Sequence, residues 1–130
     1  MRNRRLLAID DDAGFRGFLT DFLKTTDLES VVTGDADEFK DAYARLDPAY
    51  VLIDMVMPDI DGFELLQWLA EQGSKARILV ITGYNPTYAE MAATMGVDRS
   101  LENISSLTKP VGLAELRTAL DVPEQSSGHN

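Results

Sequence analysis

At 130 residues the chain is long enough for one substantial core and too short for two. Its 22 acids against 12 Lys and Arg leave a formal charge of −10, which opposes phosphate backbones and anionic lipid, so neither direct nucleic-acid binding nor a membrane partner is expected. Without cysteine there is no disulfide, Cys-ligated zinc or thiol chemistry, any metal must sit on oxygen, and, with no signal-peptide pattern or long apolar span, the expected location is the cytoplasm.

Met1 to Arg5 carries three arginines and reads as a solvated lead into the first strand, about Arg5 to Asp10. A helix is predicted from about Ala13 to Thr25, with Phe15, Phe18, Leu19, Phe22 and Leu23 at helical spacing, an aromatic stripe that reads as core. Asp27 to Val32 gives a second, weaker strand. Gly34-Asp35 then opens a helix with Phe39, Ala42, Tyr43 and Leu46 on one face, which Asp47-Pro48 stops. The third strand, Tyr50 to Ile53, ends on Asp54. Asp61 is placed to cap the next helix, with Glu64 set for a capping box and Leu65, Leu66 and Leu69 on the buried side. Gln72-Gly73-Ser74 ends that helix and Arg77 to Thr82 makes the fourth strand. Pro86 stands near the start of a fourth helix, with Tyr88, Met91, Ala92 and Met95 facing inward and Gly96 closing it. Val97 to Ser105 shows no clear period and is expected to be an irregular loop or a single helical turn, leaving a short fifth strand, Ser106 to Thr108. After Lys109-Pro110, Leu113, Leu116 and Leu120 mark a last helix. Residues 1–121 are expected to form one domain and 122–130 a flexible polar tail. Five strands alternating with five helices at βα spacing predict an α/β fold, a doubly wound parallel (βα)5 sheet covered on both faces.

Several strands end on groups that carry chemistry. Leu6-Leu7-Ala8-Ile9 stops on Asp10-Asp11-Asp12, the third strand on Asp54, Ile78-Leu79-Val80-Ile81 on Thr82, and the fifth strand delivers Lys109. The carboxyl ends of strands are where open α/β sheets bind ligands. Asp10 and Asp11 point to opposite faces in an extended strand, but a turn brings both toward one pocket. With Asp54 opposite they repel unless a hard cation sits among the oxygens, and Mg²⁺ suits a site of few carboxylates. Asp54, the acid alone on the middle strand, is the candidate nucleophile, forming an acyl phosphate. Thr82 and Lys109 supply a hydroxyl donor and a compact positive charge for the phosphoryl oxygens. A Thr or Lys at a strand end is ordinarily a turn residue or a solvated charge; the weight lies in the ordered combination.

Over about residues 4 to 120 these motifs resemble the receiver domains of two-component response regulators. The resemblance implies a flavodoxin-like sheet of strand order 2-1-3-4-5 and a phosphorylated aspartate at Asp54, in Ile53-Asp54-Met55-Val56-Met57-Pro58. It implies Mg²⁺ held by Asp10, Asp11, Asp54 and the backbone carbonyl of Val56. Thr82 and Lys109 match the family's switch threonine and its lysine, whose bond to the following proline, here Pro110, is cis in the family. Asp61-Gly62 matches the turn into the third helix, and Arg16 a frequent arginine read as structural. The implied phosphoryl donor is a phosphohistidine on a sensor histidine kinase or histidine phosphotransfer protein, with acetyl phosphate as a small substitute. The implied output is a downstream protein target, bound through the face of the fourth helix, fifth strand and last helix. Such a chain is a self-phosphorylating acceptor that also loses its phosphoryl group, not a turnover enzyme, and a homodimer is compatible with it.

The chain departs from the family pattern in places. Ser106 stands where Tyr or Phe is usual, three residues before the lysine, and the stretch from Gly96 to Lys109 is longer than usual. Val56 and Tyr84, beside the site, imply slow hydrolysis of the acyl phosphate. A haloacid-dehalogenase-like phosphatase shares Asp-x-Asp within Asp10-Asp11-Asp12, but Gly14 stands where that family has Thr or Val. Only Glu115 and Asp121 follow the lysine, and Asp54 is left without a role. The other alternative is a phosphorylation-independent receiver-like binding module, favoured by Ser106 and the long loop and opposed by the intact set of Asp54, Thr82 and Lys109.

Overall fold

The computed structural model describes residues 4–55, 62–82 and 104–122. Among them are five strands, β1 (Arg5–Ile9), β2 (Glu29–Thr33), β3 (Tyr50–Asp54), β4 (Arg77–Thr82) and β5 (Ile104–Thr108). Four helices accompany them: α1 (Ala13–Leu23), α2 (Ala36–Leu46), α3 (Gly62–Glu71) and α4 (Leu113–Ala119), the last being the helix expected after Pro110. The strands pair in parallel in the order β2-β1-β3-β4-β5, the doubly wound sheet that the sequence pattern implies. The helix expected after Pro86, the aperiodic stretch up to Asn103, the Asp61 cap and the tail from Pro123 lie outside the described residues.

Alternation along each strand explains how one sheet supports two cores. Leu7, Ile9, Val51, Ile53, Ile78 and Val80 point to one side, where Phe39 of α2 and Leu65, Leu66 and Leu69 of α3 cover them. Leu6, Ala8, Leu52, Leu79 and Ile81 point to the other, under Leu19, Phe22 and Leu23 of α1, Leu116 of α4 and Leu120 just past its end. β1 and β3, in the middle, are therefore apolar at consecutive positions, and each buried Leu or Ile contributes about 1.5–3 kcal/mol.

Helix ends follow their local chemistry. Asp12 caps α1, its side chain accepting from Gly14 N–H at 2.9 Å, and Asp35 caps α2, accepting from Glu38 N–H at 2.8 Å. α2 stops at Asp47, in the left-handed region with φ of 48°, just before Pro48. A Cβ on Gly62 would meet Met55 Sδ at 2.6 Å, so a side chain there would displace the buried Met55 side chain.

Boundaries differ from expectation where polar contacts intervene. β2 begins at Glu29 rather than Asp27, because Asp27 turns aside to pair with Arg4 at 3.0 Å and the Leu28 N–H bonds the Thr26 hydroxyl at 3.1 Å. α1 gives way at Leu23 to a turn in which the Thr25 and Thr26 hydroxyls bond the Phe22 and Leu23 carbonyls. β5 begins at Ile104, taking in two residues expected in the irregular stretch; its register sets Ile104 beside Ile78 and Leu107 beside Ile81. In Ile104-Ser105-Ser106-Leu107-Thr108 the two apolar residues serve opposite faces, which removes the alternation that marks a strand. The expected stripes also split. Phe15 and Phe18 are only partly buried, and Leu113 is 46% exposed while Leu116 and Leu120 are buried.

Candidate functional site

β1 and β3 are neighbours, so the residues at their carboxyl ends meet. Asp10, the first residue beyond β1, and Asp54, the last of β3, are both buried, at 0% and 1% exposure. Lys109 follows β5, two strands from β3. Its side chain reaches past the end of β4 to place Nζ 2.9 Å from Asp54 Oδ2 and 3.9 Å from Asp10 Oδ2. The Lys109–Pro110 peptide bond is cis. Thr82 closes β4 opposite Thr108, at the same edge of the sheet. Asp11 is half-buried on the turn after Asp10, and Val56 lies outside the described residues.

The turn after β1 is held tightly. Asp10 N–H donates to the Thr33 carbonyl at 3.1 Å, and Asp10 Oδ1 accepts from Asp12 N–H at 2.7 Å. Asp10 Oδ2 is buried without a hydrogen-bond partner. Burial, then the adjacent Asp54 carboxylate, push the Asp10 carboxyl up to about 7, against the opposing pull of the Asp12 N–H and the Lys109 ammonium. Burial draws the Lys109 ammonium down, but the Asp54 bond and the acids around it outweigh that and raise it. The Phe15 ring closes the other side of the ammonium, with its centroid 4.7 Å from Nζ.

These groups bear on whether a hard cation fits. Among the described residues no three His, Cys, Asp or Glu side chains stand together as a ready metal cluster. Two carboxylates do, and the unpartnered Asp10 Oδ2 is an oxygen with free acceptor capacity in a pocket where a second negative charge is costly. An all-oxygen donor set of that kind fits a divalent cation that keeps several waters.

The contacts that two residues make here escape a reading from sequence, although Arg16 itself reads as structural. Phe15 reads as core, yet its position four residues after Asp11 on α1 sets it over the pocket rim, and that spacing was the available signal. Arg16 donates from Nη1 to the Asp10 carbonyl at 2.7 Å, a contact between a side chain and a strand end that no sequence pattern announces.

With this geometry in hand, comparison with known proteins is decisive. The family model for the response regulator receiver domain matches residues 6–121. The chain belongs to that family. Receiver domains generally bind Mg²⁺ at their acidic phosphorylation site, pair with histidine kinases or phosphotransfer proteins, and serve as signalling acceptors. This receiver domain is 29% identical over 119 residues to the photosynthetic apparatus regulatory protein RegA of Rhodobacter capsulatus, covering 91% of this chain and 61% of RegA. It is 23% identical over 120 residues to sporulation initiation phosphotransferase F of Bacillus subtilis, covering 92% and 93% of the two chains. The chain spans less than two thirds of RegA, and 20% and 47% of the regulators DctD of Pseudomonas aeruginosa and MprA of Mycobacterium leprae. In fold it matches the response regulator receiver domain protein of Clostridium thermocellum, with a TM-score of 0.78, 21% identity and 90% of each chain covered. Among the described residues no helix is long and apolar enough to cross a membrane.

Proposed function

We propose that Asp54 accepts a phosphoryl group from a phosphohistidine on a sensor histidine kinase or histidine phosphotransfer protein, and that the modified domain changes its affinity for a downstream protein. The observation that carries this reading is the Lys109 ammonium 2.9 Å from the buried Asp54 carboxylate, with Asp10 facing the same ammonium at 3.9 Å. A carboxylate held by one compact cation at a strand end is a fixed nucleophile with its counter-charge in place.

In the transfer an Asp54 carboxylate oxygen bonds to phosphorus as the P–N bond breaks. The electron pair of that bond leaves with the imidazole nitrogen. Lys109 then faces the phosphoryl oxygens, and Thr82 is assigned the hydroxyl that donates to another of them. Asp10, Asp11, Asp54 and the Val56 carbonyl would hold Mg²⁺, which when bound offsets the charge of the incoming phosphoryl group. The domain acts in the cytoplasm as an acceptor whose product is altered protein binding, not as a turnover enzyme.

Beryllofluoride, a stable mimic of a phosphoryl group on a carboxylate, tests the site. In the presence of Mg²⁺ the protein is expected to give a bound ¹⁹F resonance that Asp54→Ala and chelator both abolish. A bound resonance that survives Asp54→Ala would contradict the assignment.

A further inference from the structure

The exit of β1 is tied to α1 and β2 by three bonds, all converging on Asp10. Two have backbone donors: the Asp10 N–H to the Thr33 carbonyl of β2, and the Asp12 N–H to Asp10 Oδ1. The third is the charge-assisted bond from Arg16 Nη1 to the Asp10 carbonyl at 2.7 Å, the one of the three that a side-chain cation donates. With these made, Oδ2 is the Asp10 oxygen left for the pocket.

Arg16 reaches that carbonyl across Gly34, the residue after β2. A Cβ at Gly34 would stand 3.1 Å from Arg16 Nη1 and 3.3 Å from its Cζ, tighter than ordinary contact. Backbone conformation does not call for glycine there, since Gly73 is the described glycine with positive φ. A side chain at Gly34 would therefore take space that the guanidinium occupies.

We propose that Arg16 is a positioning residue for the acidic pocket, and that Gly34 leaves the room in which its guanidinium fixes the Asp10 carbonyl, making the β2–α2 turn part of that pocket. The metal part of this inference rests on the function proposed above.

The test uses the full chain as wild type, Arg16→Met, Arg16→Lys, Gly34→Ala and the Arg16→Met, Gly34→Ala double variant, with folding checked by far-UV circular dichroism. Two quantities are read by NMR: the exchange rate of the Asp12 amide proton without metal, and the apparent Kd for Mg²⁺ from amide shifts. Arg16→Met is expected to weaken Mg²⁺ binding about 10-fold and to speed Asp12 exchange comparably, as loss of a group that orients a ligand does. Arg16→Lys recovers part of both. Gly34→Ala alone gives a loss of about 3-fold but adds almost nothing on top of Arg16→Met, the non-additivity expected of residues acting through one contact.

Equal effects of Gly34→Ala in the two backgrounds would overturn the proposal, as would unchanged exchange and affinity in Arg16→Met. If Arg16→Met fails to fold, the other single variants decide, and a Gly34→Ala protein with both readouts unchanged overturns the proposal. A wild type that shows the exchange pattern but takes up no Mg²⁺ supports the Asp10 anchoring and sinks the magnesium part of the proposed function instead.

Discussion

Lys109 lies between an acid and a ring, with Asp54 Oδ2 at 2.9 Å and the Phe15 centroid at 4.7 Å. One compact charge thus serves two buried carboxylates, and in the proposed transfer it is the group that faces the phosphoryl oxygens. Lys109→Ala should slow phosphorylation by acetyl phosphate about 100-fold, the usual loss when one preorganised stabiliser of transition-state charge is removed. Time courses of intact mass measure this, and an unchanged rate would remove Lys109 from the chemistry. Asp10 carries the complementary cost. Its carboxyl would ionise near 3.8 in the unfolded chain but is pushed up to about 7 in the fold, so between those values the native state holds a proton the unfolded chain has lost. Stability contributed by this group is complete below 3.8 and is lost as pH rises through about 7. Asp10→Asn should therefore stabilise the metal-free protein at pH 8 by about 1–3 kcal/mol and flatten its melting temperature between pH 5 and 8. Calorimetric melts with chelator present check both; a variant less stable than wild type at pH 8 would contradict the assignment of cost to Asp10.

The elements show where burial and sequence pattern agree and where they part. Leu116 is fully buried among residues of β1, β3, β4 and α1, whereas Leu113, one turn earlier on α4, is 46% exposed. Leu116→Ala should cost about 2–5 kcal/mol, whereas Leu113→Ala should stay within about 0.5 kcal/mol of wild type. Urea melts distinguish them, and equal losses would mean that Leu113 is covered in solution. From sequence Leu113, Leu116 and Leu120 look equivalent, because a period shows which residues share a face and not how far a neighbouring layer extends. β1, β3 and β4 were legible because central strands buried on both faces are continuous apolar runs. β5 was legible only in its last residues. At the sheet edge its two serines are exposed, and its apolar residues divide between the two layers. Asp10, Asp54 and Lys109 are singled out by the rule that strand ends carry chemistry and the fold sets them together, while the link between Arg16 and Gly34 depends on a contact between elements that only the assembled fold reveals.

At the scale of the molecule, one sheet order accounts for the site. The order β2-β1-β3-β4-β5 sets the two acid-bearing strands side by side at the centre, with Thr82 and Lys109 at the ends of the next two. Charge follows the same division of labour. A chain of net charge −10 nonetheless gathers Lys109 into its acid pocket, and the surplus acid suits a divalent cation and basic protein surfaces rather than nucleic acid. The central claim is a covalent one: a single phosphoryl group on Asp54, formed with Mg²⁺. Incubation with acetyl phosphate and Mg²⁺ followed by intact mass measures it directly. One added phosphoryl group, absent from Asp54→Ala and from a chelated control, is the predicted result. An adduct of the same size on Asp54→Ala would contradict it.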